Sequence, residues 1–263
     1  MTRRFPHIVT QSNPPAILAP SGAAALGAAR RFWRRVRPVP PGAAEHVALG
    51  TFCHVAAALR ESGLRRWTGP FDWIFSTPAM IAACIEEDFA TFLDAGNLRS
   101  VPEAELTNGA RKQCRHVLFE SRYGLPAIFN HHDPAARVED AEALRRSADR
   151  MRKALGGAGR NVLYLMSEVT WPEDEMTGLQ AALGRLPSRN VLVVLTVSGG
   201  AVRQSWGITS DAEAHGCRRV DVRIETLSAS TGVRFADPAD GPFLESVLRA
   251  LSAHCDPALR ARV

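Results

Sequence analysis

Two nearly unbroken apolar runs constrain this chain more than any other feature: residues 161–169 (NVLYLMSEV) and 190–198 (NVLVVLTVS). A strand that is apolar at every position has no face left for water, so it must be covered on both sides. Between them lies a helical pattern at residues 176–186, and after them a more alternating run at 217–227 and a helix over 242–253 with Phe243, Leu244, Val247, Leu248 and Leu251 at helical spacing. Apolar strands alternating with helices predict a three-layer α/β fold, a mostly parallel sheet with helices on both faces. Ligands of such sheets lie outside the carboxyl ends of the strands. That rule sets Cys53, residues 167–171 and residues 198–200 along one rim.

The first 44 residues differ in kind. They hold seven arginines, seven prolines and no acidic side chain, a composition that buries too little surface to offset its ordering entropy. The expectation is a disordered basic arm over residues 1–44 and a single α/β domain over 45–263. Within the arm, Arg30 to Arg37 surrounds Phe32, Trp33 and Val36 and suits weak contact with an anionic surface. The remaining chain carries 25 basic and 27 acidic side chains, so the high isoelectric point belongs to the arm, and the body is not built as a nucleic-acid-binding surface. No apolar run reaches the roughly 18 residues of a membrane span. The five cysteines (53, 84, 114, 217 and 255) show no metal-type spacing. Reduced thiols, a cytoplasmic location, and no metal or cofactor are the corresponding expectations.

The chemistry centres on residues 49–73, LGTFCHVAAALRESGLRRWTGPFDW. A short strand ends at Gly50-Thr51, and Val55, Ala56, Leu59 and Leu64 then recur at helical spacing, which sets Cys53 at a helix amino terminus. Unpaired backbone N–H groups and the helix dipole there favour a thiolate. Asp72, in a Pro-Phe-Asp-Trp turn, would either orient a catalytic base or accept backbone N–H bonds while Phe71 and Trp73 pack. Thr77-Pro78 begins a helix that continues to Leu93. Residues 97–130 are irregular, with short strands expected at 116–119 and 126–129. His131-His132-Asp133 ends that stretch and offers a general base with an orienting carboxylate, or metal ligands. A helix follows over 138–155, acidic in its first turns and basic later.

Leu49-Gly50, Cys53, Ala56, Leu59, Gly63-Leu64-Arg65 and Gly69-Pro70-Phe71-Asp72-Trp73-Ile74, with Asp88-Phe89 and Phe92-Leu93 after them, resemble a bacterial family of unknown function described as papain-like cysteine peptidases. The similarity extends through Tyr123 and His132-Asp133 to Val162-Leu163. It implies that Cys53, His132 and Asp133 are the functional residues. A papain fold couples a helical lobe to an antiparallel barrel; the periodicity above predicts an α/β sheet instead.

These lines converge on a cysteine-dependent hydrolase or acyltransferase acting on a small-molecule or peptide acyl substrate. Cys53 would attack, His132 would move the proton and Asp133 or Asp72 would orient the imidazole. Trp73, Glu168, Trp171 and Ser198 are the candidate substrate contacts. The alternative is a noncatalytic or transferase-type module that binds a nucleotide or sugar phosphate at the rim, with arginines 65, 66, 111, 115 and 122 as phosphate ligands.

Overall fold

The structure, a computed structural model, describes residues 42–107 and 109–256. The arm up to residue 41, including the Arg30 to Arg37 segment, lies outside the described residues. Ala44, the last residue of the expected arm, is buried, and its N–H donates to Asp256 Oδ2 at 2.8 Å.

The sheet has five strands: β1 (Glu45–Ala48), β4 (Arg160–Ser167), β5 (Arg189–Ser198), β6 (Ser205–Ala214) and β7 (Cys217–Glu225). Their spatial order is β1-β4-β5-β7-β6; the first four are parallel and β6 runs antiparallel to β7 at the edge. Alternation along β4 divides the core in two. Val162, Tyr164 and Met166 face a cluster with Val193, Leu195, Val222 and Ile224, covered by helices α1 (His54–Glu61) and α7 (Asp240–Cys255). Leu163 and Leu165 face the other side, with Leu192 and Val194, under α2 (Pro78–Glu86), α5 (Val138–Gly156) and α6 (Glu173–Gly184). This is the three-layer sheet that the doubly apolar runs predict.

Strand order never reverses between β1 and β7, so no crevice opens within the sheet where the order switches. The crossing between faces occurs at the β1 margin instead, where the chain passes from α1 through the Pro-Phe-Asp-Trp turn to α2. Local chemistry shapes this crossing. Gly50 and Thr51 both take positive φ, 81° and 74°, the first at home there and the second a β-branched residue under strain. Ser76 Oγ donates to Leu49 O and accepts from Thr51 N–H, each at 2.8 Å, and Thr51 Oγ1 donates to Met166 O on β4.

Several local expectations need correction. The helix from Pro78 stops at Glu86, because Asp88 and Phe89 take positive φ, and a short α3 (Ala90–Leu93) follows. The break lets the Phe89 ring reach Phe71 and Phe92 at 5.9 and 6.2 Å. Residues 116–119 do not form a strand: β3 is Cys114–His116, paired with β2 (Leu98–Ser100), and α4 (Val117–Tyr123) begins directly after. His116 Nδ1 accepts from Phe119 N–H and so caps that helix, which a strand reading could not foresee. Of residues 126–129 only an isolated bridge from Phe129 to Cys114 is strand-like. Strand β6 has no counterpart in the expectations, since nine of its ten residues are exposed and carry no apolar alternation.

A Cβ at position 50 would sit 2.6 Å from Ser76 Oγ and 2.8 Å from Phe71 O. Gly50→Ala should therefore cost at least about 2 kcal/mol in urea unfolding, the left-handed conformation alone costing about 1–2. A change of a few tenths would mean that the crossing tolerates a side chain there.

Candidate functional site

Cys53 occupies the N-cap of α1 with helical φ and ψ and makes no side-chain cap bond. It lies past the carboxyl end of β1, on the edge shared with the carboxyl ends of β4, β5 and β7. The thiol is 3% exposed. The sequence leads one to expect a lowered thiol pKa from the helix terminus; the structure corrects this. Burial, together with the nearby Asp72 carboxylate, pushes the Cys53 thiol up to about 11.

Asp72 is fully buried in the turn above α1. Arg65 Nη1 donates to its Oδ2, and the Gly69 backbone lies against the carboxylate. Burial pushes the Asp72 carboxyl up to about 6, a rise that Arg65 opposes. Trp73, the next residue, lies under two guanidiniums: Arg65 and Arg60, 5.4 and 5.6 Å from its ring centroid.

His132 and Asp133 belong to a separate cluster at the start of α5. His132 Nδ1 stands 3.5 Å from Asp140 Oδ1, and the His132 side chain is 39% exposed. Asp140 also accepts the Asp133 N–H at 2.7 Å. Asp133 Oδ1 accepts from Ser100 Oγ and from the N–H groups of Ala135 and Ala136. Among the described residues no hydrogen bond or ion pair joins Cys53 to His132. The excursion that carries His132 is nonetheless tied to the crossing, since Phe75 N–H donates to Ile128 O at 2.9 Å.

Elsewhere on the edge, Glu168 Oε1 accepts the Ser230 N–H at 2.7 Å, and Ser230 Oγ stands 2.8 Å from His54 Nδ1. His54 is buried, edge-on to Phe235, and burial lowers its pKa to about 4, so the ring is neutral. Sequence reasoning missed this link because its partners lie 176 residues apart. Trp171 packs against the core, with its Nε1 buried and unpartnered. Ser198 begins a loop that lines a cavity of about 440 Å³ with Gly199, Gly200, Arg203 and Glu225. Four of the five candidate phosphate arginines face carboxylates: Arg65 on Asp72, Arg66 on Glu45, Arg115 on Glu105 and Arg122 on Glu87. Among the described residues no group of three His, Cys, Asp or Glu side chains could hold a metal ion, and no helix is long and apolar enough to cross a membrane.

Residues 44–193, more than half of the chain, match the family model described as "Putative papain-like cysteine peptidase (DUF1796)". No curated protein and no solved structure matches.

The raised Asp72 pKa makes a signed prediction. The folded state holds this proton more tightly than the unfolded chain, so the contribution of Asp72 to stability is greatest below pH 4. It falls as pH rises through about 6, by on the order of 3 kcal/mol. Asp72→Asn should flatten that part of the stability curve between pH 4 and 7 in denaturant titrations. An unchanged slope would show that Asp72 is ionised normally.

Proposed function

The chain belongs to the family described as "Putative papain-like cysteine peptidase (DUF1796)", matched over residues 44–193, and on that premise we propose that it is a cysteine-dependent hydrolase or acyltransferase with Cys53 as nucleophile. The observation that carries this reading is the placement of Cys53 at a helix amino end, past the carboxyl end of β1, beside the buried Asp72 carboxylate.

Magnitudes decide which group takes the thiol proton. Moving it from a thiol near 11 to a carboxylate near 6 is uphill by on the order of 7 kcal/mol. Asp72 alone is thus a poor base. A histidine changes the balance, because the imidazolium it becomes stabilises both the thiolate and the Asp72 carboxylate. His132, which stands in the cluster at the start of α5, is the residue proposed for that role, and the reading requires its segment to reach Cys53. Asp72 Oδ1 is then the acceptor for its second N–H, and Asp133, held by three donors, positions the histidine backbone.

In the reaction, Cys53 Sγ forms a bond to the acyl carbon as its proton passes to His132. The leaving group takes that proton as its bond to the acyl carbon breaks, and water or another acceptor then releases the acyl group. Backbone N–H groups of the first turn of α1 support the oxyanion. Trp73, Glu168, Trp171 and Ser198 remain the proposed substrate contacts. A second reading, a nucleotide or sugar phosphate at the rim, draws on the Ser198–Gly200 cavity; it has lost most of its arginines to carboxylates.

Incubation with p-nitrophenyl acetate and with peptide p-nitrophenyl esters should give one acyl adduct, located on Cys53 by mass spectrometry. Cys53→Ser should abolish turnover, and His132→Ala should lower it at least about 100-fold. Turnover that survives in Cys53→Ser, or acylation spread over all five thiols, would defeat the assignment.

A further inference from the structure

Between β5 and β6 the chain runs Ser198-Gly199-Gly200-Ala201-Val202-Arg203 past the carboxyl ends of the parallel strands, the side of such a sheet where ligands lie. The segment is fixed at both ends. Thr226, fully buried, donates its N–H to Ser198 O and accepts the Ala201 N–H, each at 2.9 Å, and Gln204 Nε2 donates to Asp240 Oδ1 at 2.7 Å. Gly199 is pressed against the loop after β7: a Cβ there would stand 2.5 Å from Ala229 N. Gly200, at φ 85°, has open space where a side chain would be.

The turn so held lines a cavity of about 440 Å³, within the range of about 300–1,000 Å³ typical of small-molecule sites. The backbone N–H groups of Gly199, Gly200, Val202 and Arg203 have no hydrogen-bond acceptor among the described residues. The exposed Arg203 side chain has no ion-pair partner among them either. Glu225, the one acidic side chain in the lining, accepts from Ser205 Oγ at 2.9 Å and faces Arg223 at 3.7 Å. Two guanidiniums against one carboxylate leave the cavity with a positive excess.

Backbone N–H groups presented by a glycine turn, with a guanidinium beside them, bind phosphate oxygens. A neighbouring carboxylate adds two effects. It accepts hydrogen bonds from hydroxyl groups on the organic part of the ligand, and it repels a second phosphate group. We propose that the turn over residues 198–203, with Glu225, is a binding site for phosphate monoesters of polyols, the phosphate on the turn and the hydroxyls on Glu225. The site goes beyond the reading of Cys53 and does not depend on it. Its phosphate ligands are the backbone of the turn and Arg203, in place of the five arginines expected from the sequence.

The test titrates ¹⁵N-labelled protein with glucose 6-phosphate, ribose 5-phosphate, glycerol 3-phosphate, inorganic phosphate, glucose and ATP, and follows backbone amide shifts. At least one of the three phosphate monoesters should shift the amides of Gly199, Gly200, Val202 and Arg203, with a Kd at least about tenfold below that of inorganic phosphate and of ATP. Glucose should shift none of them. Arg203→Gln, at an exposed side chain, should weaken binding of the monoester and of inorganic phosphate about tenfold, and Arg203→Lys should restore part of it. Glu225→Gln should remove the advantage of the monoester over inorganic phosphate and relieve the discrimination against ATP. Loop amides that stay in place with every phosphate compound, or shifts that survive Arg203→Gln unchanged, overturn the site. Binding of ATP as tight as that of the best monoester overturns the ligand class. Turnover at Cys53 enters none of these readouts, so failure of the site and failure of the catalytic reading are told apart.

Discussion

One hydroxyl holds the candidate site together. Ser76 Oγ bridges Leu49 O and Thr51 N–H, and by doing so joins the end of β1 to the segment that enters α2 on the opposite face of the sheet. With that bridge in place the intervening Pro-Phe-Asp-Trp turn has little freedom. Phe71 is committed to the aromatic cluster with Phe89 and Phe92, and its neighbour Asp72 is carried into the protein beside Cys53. The carboxylate is tolerated because Arg65 comes with it; a buried charge without its partner would typically cost several kcal/mol. The electrostatics of the thiol thus follow from a packing constraint, burial being the largest cause of its raised pKa.

The sheet was legible because its strands obey a strong rule. Runs such as residues 161–169 can satisfy their burial only between two layers, and the alternation of Leu163 and Leu165 against Val162 and Tyr164 carries over directly into two cores. Where the physics is tertiary the sequence is silent. Strand β6 owes its existence to hydrogen bonds with β7, and the break at Asp88-Phe89 to the need to bury one ring. His132 and Asp133 were identifiable as chemistry-bearing residues, but their attachment to Asp140 and Ser100 depends on contacts that no local pattern encodes. The same holds for Asp72 and Arg65, and for His54 and Ser230.

Family membership and architecture point in different directions here. The family's description names a papain-like peptidase, whereas this chain builds a largely parallel sheet with its candidate nucleophile at a strand-to-helix turn. The two are reconciled by recognising that chemistry resides in sites that unrelated scaffolds can carry. A thiol at a helix amino terminus, an imidazole brought from elsewhere and a carboxylate behind it can be assembled on either fold.

Strand β6 closes the sheet on one side with ten residues, nine of them open to solvent, and its register against β7 slips between Ile208 and Ser210. A long, flat margin of unpaired amides would be a template for other chains to add to. The slip bends the strand and interrupts the even row of donors and acceptors, so an incoming strand could match only one half of the margin at a time. The irregularity therefore acts as a stop on sheet growth, protecting a chain whose most apolar strands, β5 and β4, are enclosed two and three places inward from that edge.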